Sequence, residues 1–275
     1  MSGALASSTG RLPASVVLAQ AGALSRRSVL GTLRQPTVWF PAIIFPLLIA
    51  AVNSAAFNRA PQALASMGFP PVESFLQFLL PGTLTQGVMF GGIIGGSDVA
   101  LDIENGFFER LLASPVARSS ILLGRLAGSA VLGAFQALIF IAVFVAFGAP
   151  IEGGLPAVGT LVVSAMLLAV AIGGFAASIG LRAGSQEAVQ NAFPLLFVLV
   201  FVSSAFFPTA LMRGWYRAVA EHNPITSMID GMRALVVYGF DWSDALRAVG
   251  VAGALAVLGV LVATRQFRYR LRSLR

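Results

Sequence analysis

Long apolar stretches alternate with short polar ones along this chain, and six of the apolar stretches could cross a lipid bilayer as helices. A hydrocarbon core of about 30 Å needs about 20 apolar residues in helical form. No stretch carries an ionised residue in its interior. The predicted spans are residues 38–57, 74–97, 126–147, 156–180, 189–208 and 248–264. We therefore predict an all-α membrane protein whose six transmembrane helices occupy residues 38–264.

The ends of the chain are predicted to lie outside these spans. Residues 1–37 form an arm in which Val17, Ala21 and Leu24 recur at helical spacing beside Arg26 and Arg27. This pattern is typical of an amphipathic helix in the membrane interface. A disordered arm followed by a simple juxtamembrane helix is the alternative. Residues 265–275 form a basic tail.

The loop over residues 98–125 is a charged, amphipathic insert between the second and third spans. Its apolar residues share one face of a predicted short helix, at i, i+1, i+4 and i+5: Phe107, Phe108, Leu111 and Leu112. We expect Asp102 and Glu104 near the start of this helix, where negative charge complements the helix dipole. Pro115 should end it. A connector whose apolar side chains enter the lipid is the alternative.

Residues 209–244 form a second unusual segment, which is far from polar. An apolar repeat at helical spacing ends at Asn223 and Pro224, and a second repeat follows. This pattern predicts two short helices that return partway into the outer leaflet as a re-entrant hairpin. Asp230 and Arg233 are spaced to pair at i and i+3, as a structural ion pair more readily than as a substrate contact. His222 is predicted to be a polar residue at the helix break.

Composition and charge are those of a membrane protein. Hydrophobic residues make up 57% of the chain and charged residues 11%, against roughly 25% charged residues in soluble domains. The sequence contains no Lys, so all 18 basic residues are Arg, which we attribute to a GC-rich bacterial genome. Most of them fall in segments that a cytoplasmic N-terminus would place inside, so the positive-inside tendency predicts both termini in the cytoplasm. The absence of a compact basic domain argues against nucleic-acid binding.

Missing residue types exclude several chemistries. Cys is absent, which rules out disulfides, thiol catalysis and Cys-ligated metal, and the single His argues against a His-based metal site. No G-x-x-x-x-G-K-[ST] motif is present, and without Lys no such side chain could reach a β- or γ-phosphate. The chain is therefore predicted not to be an enzyme and to bind no cofactor or metal of its own.

Polar side chains are scarce inside the predicted spans. The amides there include Asn53, Gln86, Gln136 and Asn191. An unpaired amide in hydrocarbon costs roughly a few kcal/mol, so each should face another helix or a transport pathway. Contact between helices is the simpler interpretation. The remaining walls consist of Phe, Leu, Val and Met, which suit an amphiphilic or lipid-like cargo.

Two motifs in the loops carry a resemblance to a known family. The first is an acidic–Gly–Leu-Leu-x-x-Pro pattern in the loop between the second and third spans, formed by Glu104, Gly106, Leu111, Leu112 and Pro115. The second is NPITSMIDGMRAL, residues 223–235, before the last span. With these motifs in this order, the chain resembles the membrane subunit of an ABC-2 type transporter. That family includes daunorubicin-type drug exporters, lipo-oligosaccharide exporters and O-antigen exporters.

The resemblance implies a coupling helix that docks in a groove of a separate cytoplasmic ATPase, usually present in two copies that hold the ATP and Mg. The N-terminal interfacial helix would help to form the same joint. The ATPase-coupling candidates are Glu104, Gly106, Phe107, Phe108, Glu109, Arg110, Leu111 and Pro115.

The resemblance also implies a second membrane subunit, as a homodimer or a paralogous heterodimer in the bacterial inner membrane. Six spans would form about half of the pathway wall. We expect the seam to involve the first and fifth spans. The aromatic outer end of the fifth span, with Phe201, Phe206 and Phe207, would close an exit gate.

The leading hypothesis for function is an export permease for a hydrophobic drug or lipid-like substrate, as in multidrug efflux and antibiotic resistance. A permease for a lipid-linked glycan or polysaccharide is the alternative within the family. From a different class, an ion-coupled secondary transporter is disfavoured because the predicted spans contain no Asp or Glu. An intramembrane enzyme or a structural scaffold is a further alternative from a different class. No nucleophile–base pair or metal cluster in the sequence supports catalysis.

Overall fold

The structure, a computed structural model, describes residues 13–114 and 116–273. Within these ranges the chain forms α-helices and short 3₁₀ turns, with no strand. The helices are α1 (Ala14–Leu33), α2 (Pro36–Ala56), α3 (Ala60–Leu64), α4 (Phe75–Glu104), α5 (Phe107–Ala113), α6 (Arg118–Ala146), α7 (Gly154–Ala183), α8 (Gln186–Asn191), α9 (Phe193–Phe201), α10 (Gly214–His222), α11 (Pro224–Val237) and α12 (Trp242–Ser273).

Five of the described helices are long and apolar enough to cross a membrane: α2, α4, α6, α7 and α12. The predicted all-α fold is therefore confirmed for the described residues, and the five helices agree with a membrane protein, whereas the predicted layout of six spans is not confirmed. Several of these helices run well past the predicted spans, since α4 continues to Glu104 and α12 starts at Trp242 and ends at Ser273. Hydropathy marks only the lipid-embedded part of a helix, whereas the backbone hydrogen bonds extend into its polar ends.

The predicted fifth span, residues 189–208, differs from the prediction because it is not one continuous helix. Helix α8 ends at Asn191, and α9 starts anew with Pro194 in its first turn. Proline lacks a backbone N–H and is favoured there rather than in a helix interior. Helix α9 ends at Phe201, where the Asn223 side chain donates hydrogen bonds of 2.7 Å to the carbonyls of Leu199 and Val202.

The divided segment still passes from one end of the bundle to the other. At its start, the Gln186 backbone N–H donates to Glu104 Oε1 at 2.7 Å, beside the last turn of α4. At its far end, Ala205 lies against Gly82 in the second turn of α4, where an added Cβ would lie 2.5 Å from the Ala205 carbonyl oxygen. The segment therefore runs antiparallel to α4 along most of that helix.

Helix α4 forms the centre of the bundle. Within its most apolar stretch of 18 residues, 94% is buried inside the protein. Small residues bring its neighbours close. A Cβ added at Gly96 would lie 2.3 Å from the Cβ of Ala176 on α7. Helices α7 and α12 approach in the same way, because a Cβ at Gly174 would lie 2.6 Å from the carbonyl carbon of Gly259. Such contacts supply the van der Waals packing that drives helix association in lipid.

The first and last helices meet at the same end of the bundle. Ser120, at the start of α6, donates through its hydroxyl to the carbonyl of Val17 on α1 at 3.1 Å. Phe108 on α5 packs edge-on against Phe267 on α12, with ring centroids 5.9 Å apart. We call this end, which carries α1, α5 and the last turns of α7 and α12, the coupling end. Helices α10 and α11 lie at the opposite end. This arrangement supports placing both termini on one side, which stays a prediction.

The two ends can be tested by labelling, because the chain has no natural Cys. Glu152→Cys and Arg213→Cys are exposed at the end away from α5, and Glu187→Cys is exposed at the coupling end. We expect a membrane-impermeant maleimide to label the first two from outside intact cells, and the third only after permeabilisation. Labelling of Arg213→Cys and Glu187→Cys from the same side would mean that residues 186–213 do not cross the membrane.

Candidate functional site

Helix α5 is held between α4 and α6 with one face inward and one outward. Gly106 adopts φ +63°, a left-handed conformation that favours glycine and turns the chain sharply after α4. Phe108 is only 1% exposed, and Leu111 and Leu112 pack partly buried around the same cluster. The opposite face bears the exposed side chains of Glu109, Arg110 and Ala113. Pro115, predicted to end this helix, lies outside the described residues.

This arrangement separates the predicted coupling residues into two groups. Phe108 points into the chain's own core, so it is not available on the outward surface. Phe107 is partly buried beneath Arg27 of α1, whose guanidinium carbon lies 3.9 Å from the ring centroid. The surface that a partner could reach is instead charged and consists of Glu104, Glu109 and Arg110 with Asn105 and Ala113.

The acidic residues take positions other than those predicted. Asp102 and Glu104 were expected near the start of the short helix, but both belong to the last turn of α4. Glu104 instead accepts the backbone N–H of Gln186, which satisfies a free donor at the start of α8. In α5 the acidic residue of the first turn is Glu109, 3.8 Å from an Arg270 nitrogen.

A buried charge network, which we call the Arg125 network, joins α1, α4 and α6 at the coupling end. Arg125 Nη1 lies 3.0 Å from Asp98 Oδ2, and Arg125 Nη2 forms a second ion pair with Asp102. Ser28 of α1 donates to Asp98 Oδ2 at 3.1 Å, and Arg27 lies 3.8 Å from Asp102. The side chains of Arg125 and Asp102 are only 11% and 12% exposed.

This network was not predicted from the sequence. Its members are distant along the chain, because Arg125 is separated from Asp102 by 23 positions. One local signal was available, since Asp98 and Asp102 stand at i and i+4 and so share one face of a helix. Extending α4 beyond the apolar stretch would have placed two carboxylates on that face and required a basic partner.

At the opposite end, the predicted pair of Asp230 and Arg233 is confirmed. Arg233 is 5% exposed and lies 2.8 Å from Asp230. Its Nε also donates to the Phe78 carbonyl at 3.3 Å, and its guanidinium carbon lies 3.9 Å from the Phe78 ring centroid. Nη2 donates to the Ser204 carbonyl at 2.5 Å. These contacts connect Arg233 to α4 and to the residues after α9, an arrangement that fits the predicted structural ion pair.

The hairpin of α10 and α11, which we call the outer hairpin after its predicted side, agrees in part with the prediction. Asn223 is the N-cap of α11 and accepts the backbone N–H of Ile225 at 2.9 Å, and Pro224 occupies the first turn. His222 is exposed at the end of α10 and contacts the Ala218 carbonyl at 2.8 Å. The break between the two short helices is therefore where the sequence predicted it.

The four predicted intramembrane amides have different environments. Asn53 donates to the Ile49 carbonyl of its own helix at 2.8 Å. Gln136 donates to the Gly87 carbonyl of α4 at 3.4 Å, a contact between helices. Gln86 is fully buried, and neither of its amide atoms has a hydrogen-bond partner in the described part of the chain. Asn191 is exposed. Of these four amides, only Gln136 therefore makes a hydrogen bond to another helix in the described part of the chain.

The three predicted gate phenylalanines make ring contacts near the end of α9 that lies away from the coupling end. Phe201 and Phe206 have ring centroids 5.0 Å apart, and Phe207 lies 5.4 Å from Phe57 at the end of α2. The Tyr216 hydroxyl donates to the Phe201 carbonyl at 2.6 Å. Burial raises the pKa of the Tyr216 phenol above its ordinary value. These ring contacts and the Tyr216 hydrogen bond connect α2, α9, α10 and the residues that follow α9.

Comparison with known proteins decides the family. Residues 19–237 match the family model described as ABC-2 type transporter. The chain belongs to the ABC-2 type transporter family. The resemblance found in the sequence is thereby confirmed, and the chain is a multi-pass ABC-2 permease.

Three named relatives can be aligned with more than two thirds of this ABC-2 permease. The daunorubicin resistance ABC transporter permease protein DrrB1 of Streptomyces coeruleorubidus is 29% identical over 195 residues, which cover 69% of this chain and 68% of the relative. A putative transport permease, ycf38, of Cyanophora paradoxa is 30% identical over 77% of this chain and 72% of the relative. The probable doxorubicin resistance ABC transporter permease protein DrrC of Mycobacterium tuberculosis is 22% identical over 72% and 70%.

The Arg125 network predicts a specific loss of stability. Arg125→Met leaves two carboxylates without their main partner, and breaking a buried pair in this way costs about 3–5 kcal/mol. We expect a lower unfolding midpoint in detergent and faster proteolysis within α1, because Ser28 and Arg27 lose their link to α6.

The control is Arg118→Met on the same helix. Arg118 is exposed and has no ion pair among the described residues, so we expect a change within about 0.5 kcal/mol. Adding Asp98→Asn and Asp102→Asn to Arg125→Met should restore part of the loss. Equal effects of the two Met variants would contradict a stabilising role for the network.

Proposed function

We propose that this permease is the membrane subunit of an ATP-driven exporter that moves a hydrophobic drug or a lipid-like substrate out of the cytoplasm or the inner leaflet. A separate ATPase subunit would supply the energy. The observation that carries the proposal is the geometry of α5, whose apolar face is anchored in the chain while its charged face points outward. A partner that grips this face can displace the bundle to which α5 is attached.

The attachment of α5 supports this mechanical role. Phe108 packs on Phe267 of α12, and Phe107 lies beneath Arg27 of α1. Arg27 also contacts Asp102, so α1 joins the Arg125 network that links α4 and α6. Four helices are thus connected to α5 by packed rings and ion pairs rather than by flexible chain. A movement imposed on α5 would reach several spans together.

The energy would come from ATP bound elsewhere. This sequence contains no Lys and no G-x-x-x-x-G-K-[ST] motif, the Walker A motif that binds phosphates. We therefore assign ATP and Mg to two copies of an ATPase partner. Within the spanning helix α4, the carboxylates of Asp98 and Asp102 are both paired with Arg125. A carboxylate that relays protons or sodium must be free to exchange its partner. The pairing therefore favours ATP-driven export over ion-coupled transport.

The class of cargo is proposed from the relatives and from the apolar surfaces. Two relatives are named for resistance to daunorubicin and doxorubicin. A groove of about 610 Å³ between α2, α4 and α6 is lined almost wholly by apolar side chains, among them Leu47, Leu76 and Phe144. Such a groove fits an apolar cargo or an acyl chain. A lipid-linked glycan or polysaccharide is the second candidate, since it too has an apolar moiety.

A bulky charge on the outward face of α5 tests the coupling role. Ala113 is exposed beside Glu109 and Arg110, so Ala113→Arg removes no internal contact. We expect co-purification of the ATPase from the same genome to weaken about tenfold, equivalent to about 1.4 kcal/mol, with normal membrane insertion. Drug-stimulated ATP hydrolysis should fall in parallel.

The matched control is Ala218→Arg, which is exposed on α10 at the opposite end. It carries the same added charge and volume but lies far from any partner on the coupling side. An Ala113→Arg protein that binds its ATPase and transports like Ala218→Arg would exclude α5 as the coupling element.

A second membrane subunit completes the proposal, with α2 and α9 at the seam. The two helices are neighbours, since Phe45 and Phe197 have ring centroids 6.5 Å apart. Both leave large apolar side chains exposed, including Val52 at 67% and Leu195 at 73%. An identical copy would form an isologous contact through this face, and a paralogous permease is the alternative.

Crosslinking tests the seam. Phe201 is 40% exposed, so Phe201→Cys can reach a second subunit, whereas Ser204 is fully buried and bound to Asp230 and is unsuitable. We expect a disulfide between subunits in the resting state, and less after ATP binds. Leu155→Cys on α7, at 85% exposure, is the control and should not crosslink. Equal crosslinking at both positions would place the seam elsewhere.

A further inference from the structure

A basic groove lies on α12 at the coupling end. Its volume is about 780 Å³, and Arg182 of α7 contributes to its wall. The α12 residues that line it are Leu261, Thr264, Arg265, Gln266, Arg268, Tyr269 and Arg272. Most recur at intervals of three and four, which places them on one helix face. Ala263, Phe267 and Arg270 of the same helix instead pack toward α5 and α7.

The four arginines of the groove have no counter-charge in the described part of the chain. None of the lining residues is acidic, and no ion pair involves Arg182, Arg265, Arg268 or Arg272. Like charges at i and i+4 repel each other on a helix, as Arg268 and Arg272 must do here. An anion seated between them would remove this repulsion. The free arginines contrast with Arg125 and Arg233, which are both paired.

The groove lies at the depth of lipid headgroups. Trp242 and Tyr269 are exposed at 72% and 71% near the two ends of α12, and aromatic residues of this kind mark the membrane interfaces. They are 27 positions apart, or about 40 Å at 1.5 Å per residue. A bilayer with its headgroups is about 40–45 Å thick. Arg268 precedes Tyr269 directly and so lies at the level of the phosphates.

The apolar end of the groove continues into the lipid-facing surface of the same helix. Leu261 is 61% exposed, and Val257 and Leu258, one turn further into the bilayer, are 59% and 49% exposed. Along α12, a basic surface is thus followed by an apolar one. A ligand with an anionic head and apolar chains matches this order. A soluble anion would leave the apolar part of the groove unused.

We propose that this groove binds the headgroup of an anionic phospholipid from the leaflet at the coupling end. The phosphate would sit among Arg182, Arg265 and Arg268, whose planar guanidinium groups can each donate two hydrogen bonds to it. The acyl chains would lie along Leu261. Basic pockets between transmembrane helices at this side of a membrane have the chemistry to bind such lipids. The proposal rests on the membrane location of the chain and not on its transport activity.

A fluorescent reporter beside the groove provides the test. The purified full-length chain carrying Leu261→Cys is labelled with bimane and placed in phosphatidylcholine vesicles. A trace of nitroxide-labelled phosphatidylglycerol or nitroxide-labelled phosphatidylcholine is then added as quencher. We expect the phosphatidylglycerol probe to quench at about tenfold lower concentration. Leu246→Cys, 67% exposed at the other end of α12, should respond equally to both probes.

Charge removal identifies the arginines responsible. Arg182→Gln/Arg265→Gln/Arg268→Gln should abolish the preference for phosphatidylglycerol at Leu261→Cys. The control, Arg26→Gln/Arg34→Gln/Arg118→Gln, removes the same charge from exposed positions in α1 and α6 and the turn between α1 and α2 and should keep the preference. Elution from size exclusion and the helical signal in circular dichroism verify that each variant is folded.

Three results would overturn the proposal. The first is equal quenching of Leu261→Cys by the two probes, which would mean no headgroup selection. The second is equal loss of preference in both triple variants, which would mean only a general surface charge. The third is an unchanged preference in the groove variant together with weaker binding of the ATPase, which would assign the groove to an acidic protein surface.

Discussion

Close packing around the central helix α4 is the constraint on which the rest of the structure depends. Glycines along α4 admit its neighbours to distances that no side chain would allow, as at Gly82 and Gly96. In lipid the hydrophobic effect contributes little between helices, so this packing must supply much of the association energy. Because α4 is in contact along nearly its whole length, both ends of the bundle are built on it. Arg233 reaches the Phe78 carbonyl near one end, and Arg125 pairs with Asp98 and Asp102 near the other.

The two buried arginines have equivalent roles at opposite ends. Each holds a peripheral element against α4, since Arg233 holds the outer hairpin and Arg125 holds α1 through Ser28. A buried charge is tolerated only when its partners are in place, which makes such contacts sensitive to relative movement of the helices. The spans are therefore linked to the interfacial helix and the outer hairpin by interactions that are kept or broken as units.

Helix α5 and the basic groove occupy different faces of the coupling end. The inward side of α5 packs on α12 through Phe108 and Phe267, and its opposite side carries the exposed residues Glu109 and Arg110. The groove lies on the face of α12 that bears Leu261 and Arg265, which continues into the lipid-facing surface. A protein partner on α5 and an anionic lipid on α12 could thus bind the same end of the bundle without competing. The proposed coupling role uses the first of these surfaces, and the proposed lipid binding uses the second.

Much of the helical structure and the family of this protein could be predicted from its sequence, because the sequence patterns that indicate them lie within short segments of the chain. Apolar stretches of sufficient length predicted five of the spanning helices, and the loop motifs around Glu104 and Asn223 predicted the family and the positions of α5 and the outer hairpin. The pairing of Asp230 with Arg233 followed from their spacing within one helix. Tertiary structure alone decided that Phe108 faces inward, that residues 189–208 are divided, and that Arg125 joins three helices. These features depend on which helices become neighbours, and periodicity along one helix carries no information about the partner on the next.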